Sequence, residues 1–193
     1  MHPVSVVDDT TTAILDATRA SVLDFGVRRT TLSDVARRAG VSRMTVYRRY
    51  PDAQAILREL MTREFGELLA GIDADVDGPN GRARLVRALV AGVGALREHP
   101  LFQKVLAAEP DLFLPYVFER MGGTQRAGLA LIEREIDDGQ ADGSIRAGDP
   151  KAIAHAVLLV EQSFVLSAGI VEAVPLRRLL AELERLLEAA LAP

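Results

Sequence analysis

Apolar residues recur every three or four positions over most of the chain, the spacing that places them on one face of an α-helix. The clearest stripe, in residues 52–72, comprises Leu57, Met61, Phe65, Leu68 and Ile72. Comparable stripes predict helices in residues 10–25, 85–99, 101–108, 112–135, 152–168 and 175–190. No segment of weight shows the strict alternation that is typical of a half-buried β-strand. The pattern therefore predicts an all-α protein.

Glycine and proline mark the ends of several of these helices. The clearest loop is residues 73–82, which contain two glycines, a proline and an asparagine. Asp149 followed by Pro150 is a typical helix start, with a capping residue before a proline. The adjacent Gly122 and Gly123 interrupt the stripe at 112–135 and predict either a kink or a true break.

Residues 31–50 carry the local signals of two short helices joined by a tight turn. Thr31 can accept the backbone N–H of Asp34 and so cap the first helix. Gly40 suits the left-handed position at which that helix ends. Ser42 can cap the second helix only two residues later. We therefore predict a helix-turn-helix.

The second of these helices has a buried side and an exposed side. Val46 and Tyr50 are spaced to face inward. The side chains left around the remaining surface are Arg43, Thr45, Tyr47, Arg48 and Arg49. Such side chains suit contacts with phosphates and base edges.

Charge is distributed unevenly along the chain. The formal net charge is −4, which by itself argues against a nucleic-acid partner. Residues 28–50, however, contain seven arginines and one aspartate, which gives a local charge of +6. Local positive charge favours DNA binding because it releases counterions from the phosphate backbone. A solvated arginine-rich face is the alternative interpretation, which the helix-turn-helix spacing disfavours.

The segment resembles the DNA-binding helix-turn-helix of the tetracycline-repressor (TetR) family of bacterial transcription regulators. The resemblance rests on Thr31, Val35, Ala36, Ala39, Gly40, Val41, Ser42, Tyr47, Tyr50 and Pro51. Family members commonly have glycine where this chain has Met44, and lysine where it has Gln54. These departures place an apolar side chain on the DNA-facing surface and remove a phosphate contact.

The resemblance implies two domains. Residues 1–51 would form a three-helix DNA-binding domain, and residues 52–193 a helical domain that binds an effector and dimerises. The helix at 52–72 would connect them. The implied function is a ligand-responsive repressor that binds a palindromic double-stranded DNA operator as a homodimer and is released by a small molecule. The alternative is a helical small-molecule-binding protein or enzyme that retains this fold without binding an operator.

The resemblance also suggests separate roles for residues on the DNA-facing surface. We expect Arg43 to read base edges and Met44 to contact a thymine methyl group. Thr45 and Arg48 are assigned to bases or to the DNA backbone. The remaining members of the predicted DNA-binding set are Thr31 and three residues assigned to phosphates, namely Ser42, Tyr47 and Arg49.

An effector cavity is expected in the C-terminal domain, where TetR-like proteins form one. Its candidate lining residues are Phe102, Phe113, Tyr116, Phe118, Met121, Gln162 and Phe164. Core packing alone is the alternative for the apolar members, because cavities of this kind and protein cores have similar linings.

The last two predicted helices are the most apolar. The helix at 152–168 is apolar almost all round, so it needs packing partners on every side. We expect it to form half of a two-fold four-helix interface with the final helix. Intramolecular packing is the alternative. The candidate dimer-interface residues are Val157, Val160, Phe164, Leu179, Leu183 and Leu186.

Glu161 is unusual within so apolar a helix. A carboxylate there must form an ion pair, contact solvent or face a polar cavity, because burying it unpaired costs several kcal/mol. We expect it to pair with an arginine across the dimer.

The sequence offers no catalytic or metal-binding constellation. Cysteine is absent, and His2, His99 and His155 lie far apart in the chain. Motifs typical of zinc sites, phosphate-binding loops and nucleophile elbows are missing. We therefore expect neither enzyme activity nor a cofactor or metal.

The predicted location is the cytoplasm. Residues 1–12 lack the basic and apolar segments of a signal peptide. The longest apolar run, near 156–168, is interrupted by Glu161, Gln162 and Ser163, so we expect no membrane insertion. The absence of cysteine fits a reducing compartment.

Overall fold

The computed structural model describes residues 9–193, except for the side chains of residues 73–75, 116 and 117. This part of the chain is helical and contains no β-strand, which confirms the predicted all-α class. Its α-helices are α1 (Asp9–Phe25), α2 (Leu32–Ala39), α3 (Arg43–Arg49), α4 (Ala53–Asp75), α5 (Gly81–Glu98), α6 (Pro100–Ala108), α7 (Leu114–Phe118), α8 (Gly123–Ala141), α9 (Pro150–Ser167) and α10 (Leu176–Leu191). Short 3₁₀ turns cover Val27–Arg29, Pro110–Leu112 and Ala168–Ile170.

The chain forms two compact units whose boundaries differ from the predicted division at residue 51. The first unit comprises residues 1–64 and 100–120, and the second comprises residues 65–99 and 121–193. Helix α4 therefore begins in the first unit and ends in the second. The chain also returns to the first unit for α6 and α7, which the sequence interpretation had placed in the C-terminal domain.

Long-range contacts explain why α6 belongs to the first unit. Leu101 and Val105 on α6 are fully buried. The helix packs on α1, where Lys104 Nζ donates a hydrogen bond of 2.5 Å to the carbonyl oxygen of Leu23. Because these partners lie about 80 residues apart in sequence, periodicity alone gives no sign of their pairing.

The second unit is a helical bundle whose core lies among α5, α8, α9 and α10. The buried core residues are Leu85, Val86, Leu89, Val93, Ile132, Ile136, Ile145, Ile153, Ala154, Val157, Leu158, Leu183, Leu187 and Leu191. Each of these helices contributes one apolar stripe, which is the arrangement expected when amphipathic helices bury their apolar faces together.

The interruption at Gly122 and Gly123 is a true break. Helix α7 ends at Phe118, and α8 starts at Gly123. The backbone N–H of Gly122 donates a 2.8 Å hydrogen bond to the Gln125 side chain, which satisfies one of the free donors at the start of α8. The break therefore separates a segment of the first unit from a helix of the second.

Helix α9 and the 3₁₀ turn after it are apolar enough to be compared with a membrane span. Residues 150–170 have a mean hydropathy of 1.6 and are the one candidate of sufficient length within the described residues. A single such helix is weak evidence, because the core helices of bundles have the same composition. Ile153, Ala154, Val157 and Leu158 of this helix are buried in the bundle core.

The start of α5 packs against the end of α8 with almost no space between the backbones. The backbone N–H groups of Gly81 and Ser144 each donate a 2.8 Å hydrogen bond to the Asp142 carboxylate. Hydrogen bonds from Ser144, followed by that from Gly81, hold the pKa of Asp142 below its usual value. A Cβ atom on Gly81 would lie 2.6 Å from Gly139 Cα. The contact therefore requires glycine at position 81.

We predict that Gly81→Ala destabilises the protein. The added methyl group would collide with the backbone of Gly139, which cannot move aside as a flexible side chain can. Overpacking of this kind costs about 1–3 kcal/mol, so the midpoint of chemical denaturation should fall.

Gly71→Ala provides the matched control for this substitution. Gly71 lies on the exposed side of α4, and a Cβ atom there would meet no atom within 4 Å. Its replacement should leave stability unchanged or raise it by up to about 1 kcal/mol through helix propensity. Equal effects of the two substitutions would contradict the close contact at Gly81.

Candidate nucleic-acid interface and internal cavity

Local hydrogen bonds fix both ends of the α2–α3 pair as the sequence predicted. Thr31 Oγ1 accepts the backbone N–H of Asp34 at 3.2 Å. Gly40 ends α2 in the left-handed region, at φ 68°. Ser42 Oγ accepts the backbone N–H of Thr45 at 3.1 Å. The Thr31 hydroxyl also donates to the Asp34 carboxylate, and this hydrogen bond is the main reason why the pKa of Asp34 is lowered.

Helix α3 is anchored on one side only. Val46 is fully buried and Tyr50, just after the helix, is 4% exposed. Burial, together with the nearby Glu59 carboxylate, raises the pKa of the Tyr50 hydroxyl to about 12. On the opposite side, Met44 is 75% exposed and Tyr47 is 49% exposed. The predicted inward and outward sides of α3 are confirmed.

Three of the arginines in residues 28–50 form salt bridges within the first unit, among them Arg28 with Glu109 at 3.6 Å. Arg38 forms a 2.5 Å salt bridge with Asp24 and lies over the ring of Phe25 at 5.9 Å. Arg37 pairs with Asp34 at 3.4 Å. The sequence interpretation assigned no structural role to Arg38. The acidic and aromatic residues at the end of α1 were the available signal.

Helix α3 carries two arginines whose charges are not neutralised by a carboxylate of the described residues. Arg43 and Arg48 are exposed. Within the part of the chain that the structure describes, neither forms a salt bridge with a carboxylate. Their charges are therefore available to an anionic partner.

The predicted DNA-binding residues form one short, accessible segment. Ser42 and Thr31 are exposed, although their hydroxyl groups already serve as helix caps. Thr45 and Arg49 are partly exposed. The arrangement presents arginine, hydroxyl and aromatic groups on one side of a helix, and these groups can contact phosphates and base edges.

A cavity of about 260 Å³ lies inside the second unit. Most of its lining is apolar and comes from the end of α4, from α5 and from α8, while α9 contributes one carboxyl group. The lining residues are Leu69, Ile72, Val76, Arg84, Leu85, Ala88, Leu89, Gly128, Leu131, Ile132, Arg134, Glu135 and Glu161. A concave apolar site with a few polar groups is typical of small-molecule binding.

The aromatic residues predicted to line an effector cavity lie elsewhere. The rings of Phe102 and Phe113 contact each other edge to face in the first unit, with centroids 5.5 Å apart. Phe118, also in the first unit, is 79% exposed. The side chain of Tyr116 lies outside the described residues. The three described aromatic rings therefore do not line the cavity of the second unit, and for Phe102 the core-packing alternative was correct.

The other predicted pocket residues belong to the second unit but do not line this cavity either. Met121 and Phe164 pack against the edge of the bundle core. Gln162 accepts a 2.5 Å hydrogen bond from the amide of Gln125. Most of the lining of this cavity consists of ordinary aliphatic residues of amphipathic helices, which the sequence does not distinguish from core residues.

Glu161 is the polar residue that distinguishes this cavity. It is partly buried and lines the cavity from α9. Burial raises the pKa of its carboxyl group to about 8. Of the three possibilities given by the sequence, the structure places Glu161 at a cavity, although that cavity is mainly apolar.

The predicted dimer-interface residues divide into two groups. Val157 and Leu183 are 6% and 0% exposed and belong to the bundle core, so their assignment to the surface is corrected. Val160 and Leu186 are 39% and 57% exposed. The remaining positions, Phe164 and Leu179, are partly exposed.

Leu159 adds an exposed position that the sequence interpretation omitted. Its side chain is 66% exposed on α9. Together with Val160 and Leu186 it gives the second unit an apolar surface, which single chains seldom leave uncovered when it is extensive.

The raised pKa of Glu161 predicts a pH-dependent stability. Its proton leaves the unfolded chain near pH 4.5 but stays on the folded protein up to about pH 8. Between these values the folded state binds one more proton, so the free energy of unfolding falls as pH rises, by up to about 1.4 kcal/mol per pH unit. Chemical denaturation between pH 5 and pH 8 measures this slope.

Glu161→Gln should remove this contribution, because glutamine does not ionise. Glu184→Gln, at an exposed position of α10, is the matched control and should keep the slope of the unaltered protein. If the Glu161→Gln protein shows the same slope as the control, the assignment of the slope to Glu161 is wrong.

Comparison with known proteins agrees with these features. The sequence model of the bacterial tetR-family regulatory proteins matches residues 14–60, which include most of α1 and all of α2 and α3. An HTH-type transcriptional regulator of Mycobacterium tuberculosis (strain H37Rv) is 39% identical over 166 residues, which are 86% of this chain and 85% of the relative.

Two solved structures show the same fold across nearly the whole chain. The TetR-family repressor QsdR of R. erythropolis has a TM-score of 0.71 and 13% identity, over 97% of this chain and 98% of that one. The regulator FadR of Bacillus subtilis, solved with stearoyl-CoA, has a TM-score of 0.63 and 16% identity, over 93% and 98%. On the sequence identity and the family match together, the chain belongs to the TetR family of bacterial transcription regulators.

Proposed function

We propose that the protein is a ligand-responsive repressor that binds a palindromic double-stranded DNA operator as a homodimer in the cytoplasm. The observation that carries this proposal is that α3 is anchored on one side and exposes arginines on the other. The helix is fixed by its caps and by buried Val46 and Tyr50, while Arg43 and Arg48 remain exposed on its surface. A rigid helix with exposed arginines is the element that enters the major groove in helix-turn-helix proteins.

Side-chain chemistry suggests which residues of this surface contact bases and which contact phosphates. Arg43, at the first position of α3, is assigned to base edges, where arginine pairs best with guanine. Exposed Met44 is assigned to a thymine methyl group. Tyr47 and Arg49 are assigned to phosphates, which fix the register without selecting a sequence. Arg48 and Thr45 contact bases or backbone beside them.

Two copies are needed to read a palindrome. A dimer places its two recognition helices about 34–36 Å apart, or a multiple of this distance, so that they reach successive turns of one groove. The apolar surface of α9 and α10 supports self-association, because the same patch on each copy can pair around a two-fold axis. Leu159, Val160 and Leu186 are the exposed residues that this contact would cover.

Helix α4 offers a route from the cavity to the DNA-binding unit. Leu69 and Ile72, near its end, line the cavity, while its first residues belong to the first unit. A ligand that repositions this end of the helix would change the spacing of the two recognition helices in the dimer. FadR of Bacillus subtilis, which shares the fold, was solved in complex with stearoyl-CoA, and this supports a ligand-binding role for the second unit here.

Substitutions on α3 should separate specific from nonspecific binding. We expect Arg43→Ala to lower the preference for the selected site over random DNA by about 1–3 kcal/mol, because one base-edge contact is lost. Tyr47→Phe and Arg49→Ala should weaken binding to all sequences alike. For Arg49→Ala, the plot of the logarithm of the binding constant against the logarithm of the salt concentration should become less steep, by about 0.9 in slope. Salt-titrated binding to a duplex selected from a random library measures these quantities.

Arg177→Ala is the control for the loss of an exposed arginine, since Arg177 lies on α10 of the second unit. It should leave DNA binding unchanged. An unaltered specificity ratio in the Arg43→Ala protein would refute the role given to Arg43. A folded, dimeric protein that selects no DNA even at low salt would instead favour a small-molecule-binding protein with this fold.

The dimer surface can be tested by placing charges on it. The double substitution Leu159→Glu, Leu186→Glu should raise the dimer dissociation constant by at least about 100-fold. Each leucine that the dimer buries contributes about 1.5–3 kcal/mol to association, and the substitution removes this contribution. Sedimentation equilibrium over a range of concentrations gives the constant directly.

Phe118→Glu controls for a new charge at an exposed apolar position, since Phe118 is 79% exposed in the first unit. Its dissociation constant should match that of the unaltered protein. A dimer that survives the double substitution would place the interface elsewhere, and a monomeric unaltered protein would overturn the homodimer itself.

A further inference from the structure

Within the described residues, Glu161 is the one charged residue of the cavity lining that has no partner. Arg84 forms a 3.1 Å salt bridge with Glu135, and Arg134 contacts the same carboxylate at 3.3 Å. No hydrogen bond or ion pair joins Glu161 to any other described residue. The cavity therefore has two neutralised arginines and one carboxyl group whose bonding capacity is unused.

The carboxyl group of Glu161 lies against the backbone of α5. A Cβ atom on Gly92 of α5 would be 3.4 Å from Glu161 Oε1 and 3.8 Å from Leu69 Cδ2. The oxygen atom is thus close to the α5 backbone and to a leucine that lines the cavity. Because Gly92 lacks a side chain, nothing from α5 separates the carboxyl group from the cavity.

We propose that the cavity binds a small lipophilic amine in its protonated form, with the ammonium group on the carboxylate of Glu161. The proposal rests on the ligand-binding role given above and names the chemical class of the ligand. The aliphatic lining would hold the hydrocarbon part, because transfer of apolar surface from water is favourable. The ammonium group would supply the hydrogen bonds and the positive charge that Glu161 lacks.

A carboxylic acid fits this cavity less well. Its anion would face Glu161 and would have to compete with Glu135 for Arg84 and Arg134. A neutral alcohol can exchange only hydrogen bonds between neutral groups with the protonated carboxyl group of Glu161. Hydrogen bonds between ionised groups are roughly twice as strong as those between neutral groups, so the amine is the favoured ligand.

Binding of the amine is coupled to the release of a proton. In the empty cavity at pH 7 the Glu161 carboxyl group is protonated, because burial raises its pKa to about 8. The ammonium ion enters with its own proton, and the proton of the carboxyl group passes to the buffer. The complex then contains an ammonium–carboxylate pair, and the charges balance.

The cavity volume sets the size of the probe. One water molecule occupies about 30 Å³ of the liquid, and a methylene group is of similar size, so 260 Å³ holds about nine non-hydrogen atoms. Octan-1-amine has this size. Octan-1-ol and octanoate have nearly the same shape and provide a neutral and an anionic comparison.

Isothermal titration calorimetry of the full-length protein with these three compounds tests the proposal. At pH 7 we expect octan-1-amine to bind at least about tenfold more tightly than octan-1-ol, and octanoate to bind no more tightly than the alcohol. Titrations in buffers of different ionisation enthalpy should show close to one proton released per amine bound. The affinity for the amine should rise about tenfold from pH 6 to pH 7 and level off above pH 8.

Glu161→Gln keeps the shape of the side chain and removes its charge. We expect this variant to retain binding of octan-1-ol, to lose the preference for the amine, and to release no proton. Glu184→Gln, on the exposed face of α10, should behave as the unaltered protein. Circular dichroism confirms that each variant is folded.

Three results would overturn the assignment. They are tighter binding of octanoate than of octan-1-amine, equal binding of the amine and the alcohol, and an absence of amine binding by the folded protein. An affinity for the amine that still depends on pH in the Glu161→Gln protein would also contradict it. DNA binding is measured separately, so amine binding without any change in DNA affinity would keep the site but refute its role as the effector site.

Discussion

The anchoring of α3 is the constraint on which the proposed DNA recognition depends. A helix of seven residues is too short to remain folded alone in water. Its conformation comes from the Ser42 cap, from the left-handed turn at Gly40 and from the burial of Val46 and Tyr50. Because these anchors occupy one side and the helix ends, the opposite side is free to vary. Substitutions on that side therefore leave the anchoring of the helix intact.

In the second unit, part of the interior is left unpacked. A bundle core gains stability from close apolar packing, yet the cavity leaves some surfaces uncovered and holds a carboxyl group among them. Both features lower the stability of the empty protein. A bound ligand that fills the space and completes the bonding of Glu161 would recover this free energy. The free energy of unfolding would therefore differ between the empty protein and the protein with ligand bound in the cavity. Such a difference is what a ligand-responsive protein requires.

Sequence signals predicted the features that depend on neighbours three or four residues apart. The caps at Thr31 and Ser42, the turn at Gly40 and the two sides of α3 were all foreseen for this reason. Contacts between distant segments were not, so α6 was placed in the wrong unit. Helix α9 is apolar almost all round, so its sequence pattern does not show which side of the helix faces the bundle core. Hence the sequence could not show that Val157 faces the core, or that Glu161 faces a cavity.

Helix α4 runs from Ala53 to Asp75 without a proline, so no loop separates its share of the first unit from its share of the second. Within the second unit, the ring of Phe65 contacts His99 edge to face, while Leu69 and Ile72 line the cavity. One residue inserted between Phe65 and Leu69 would turn Leu69 and Ile72 by about 100° around the helix axis relative to Phe65. The lining of the cavity therefore depends on the angular register of α4 within its own unit, so an insertion could empty the site of these two side chains without removing any residue.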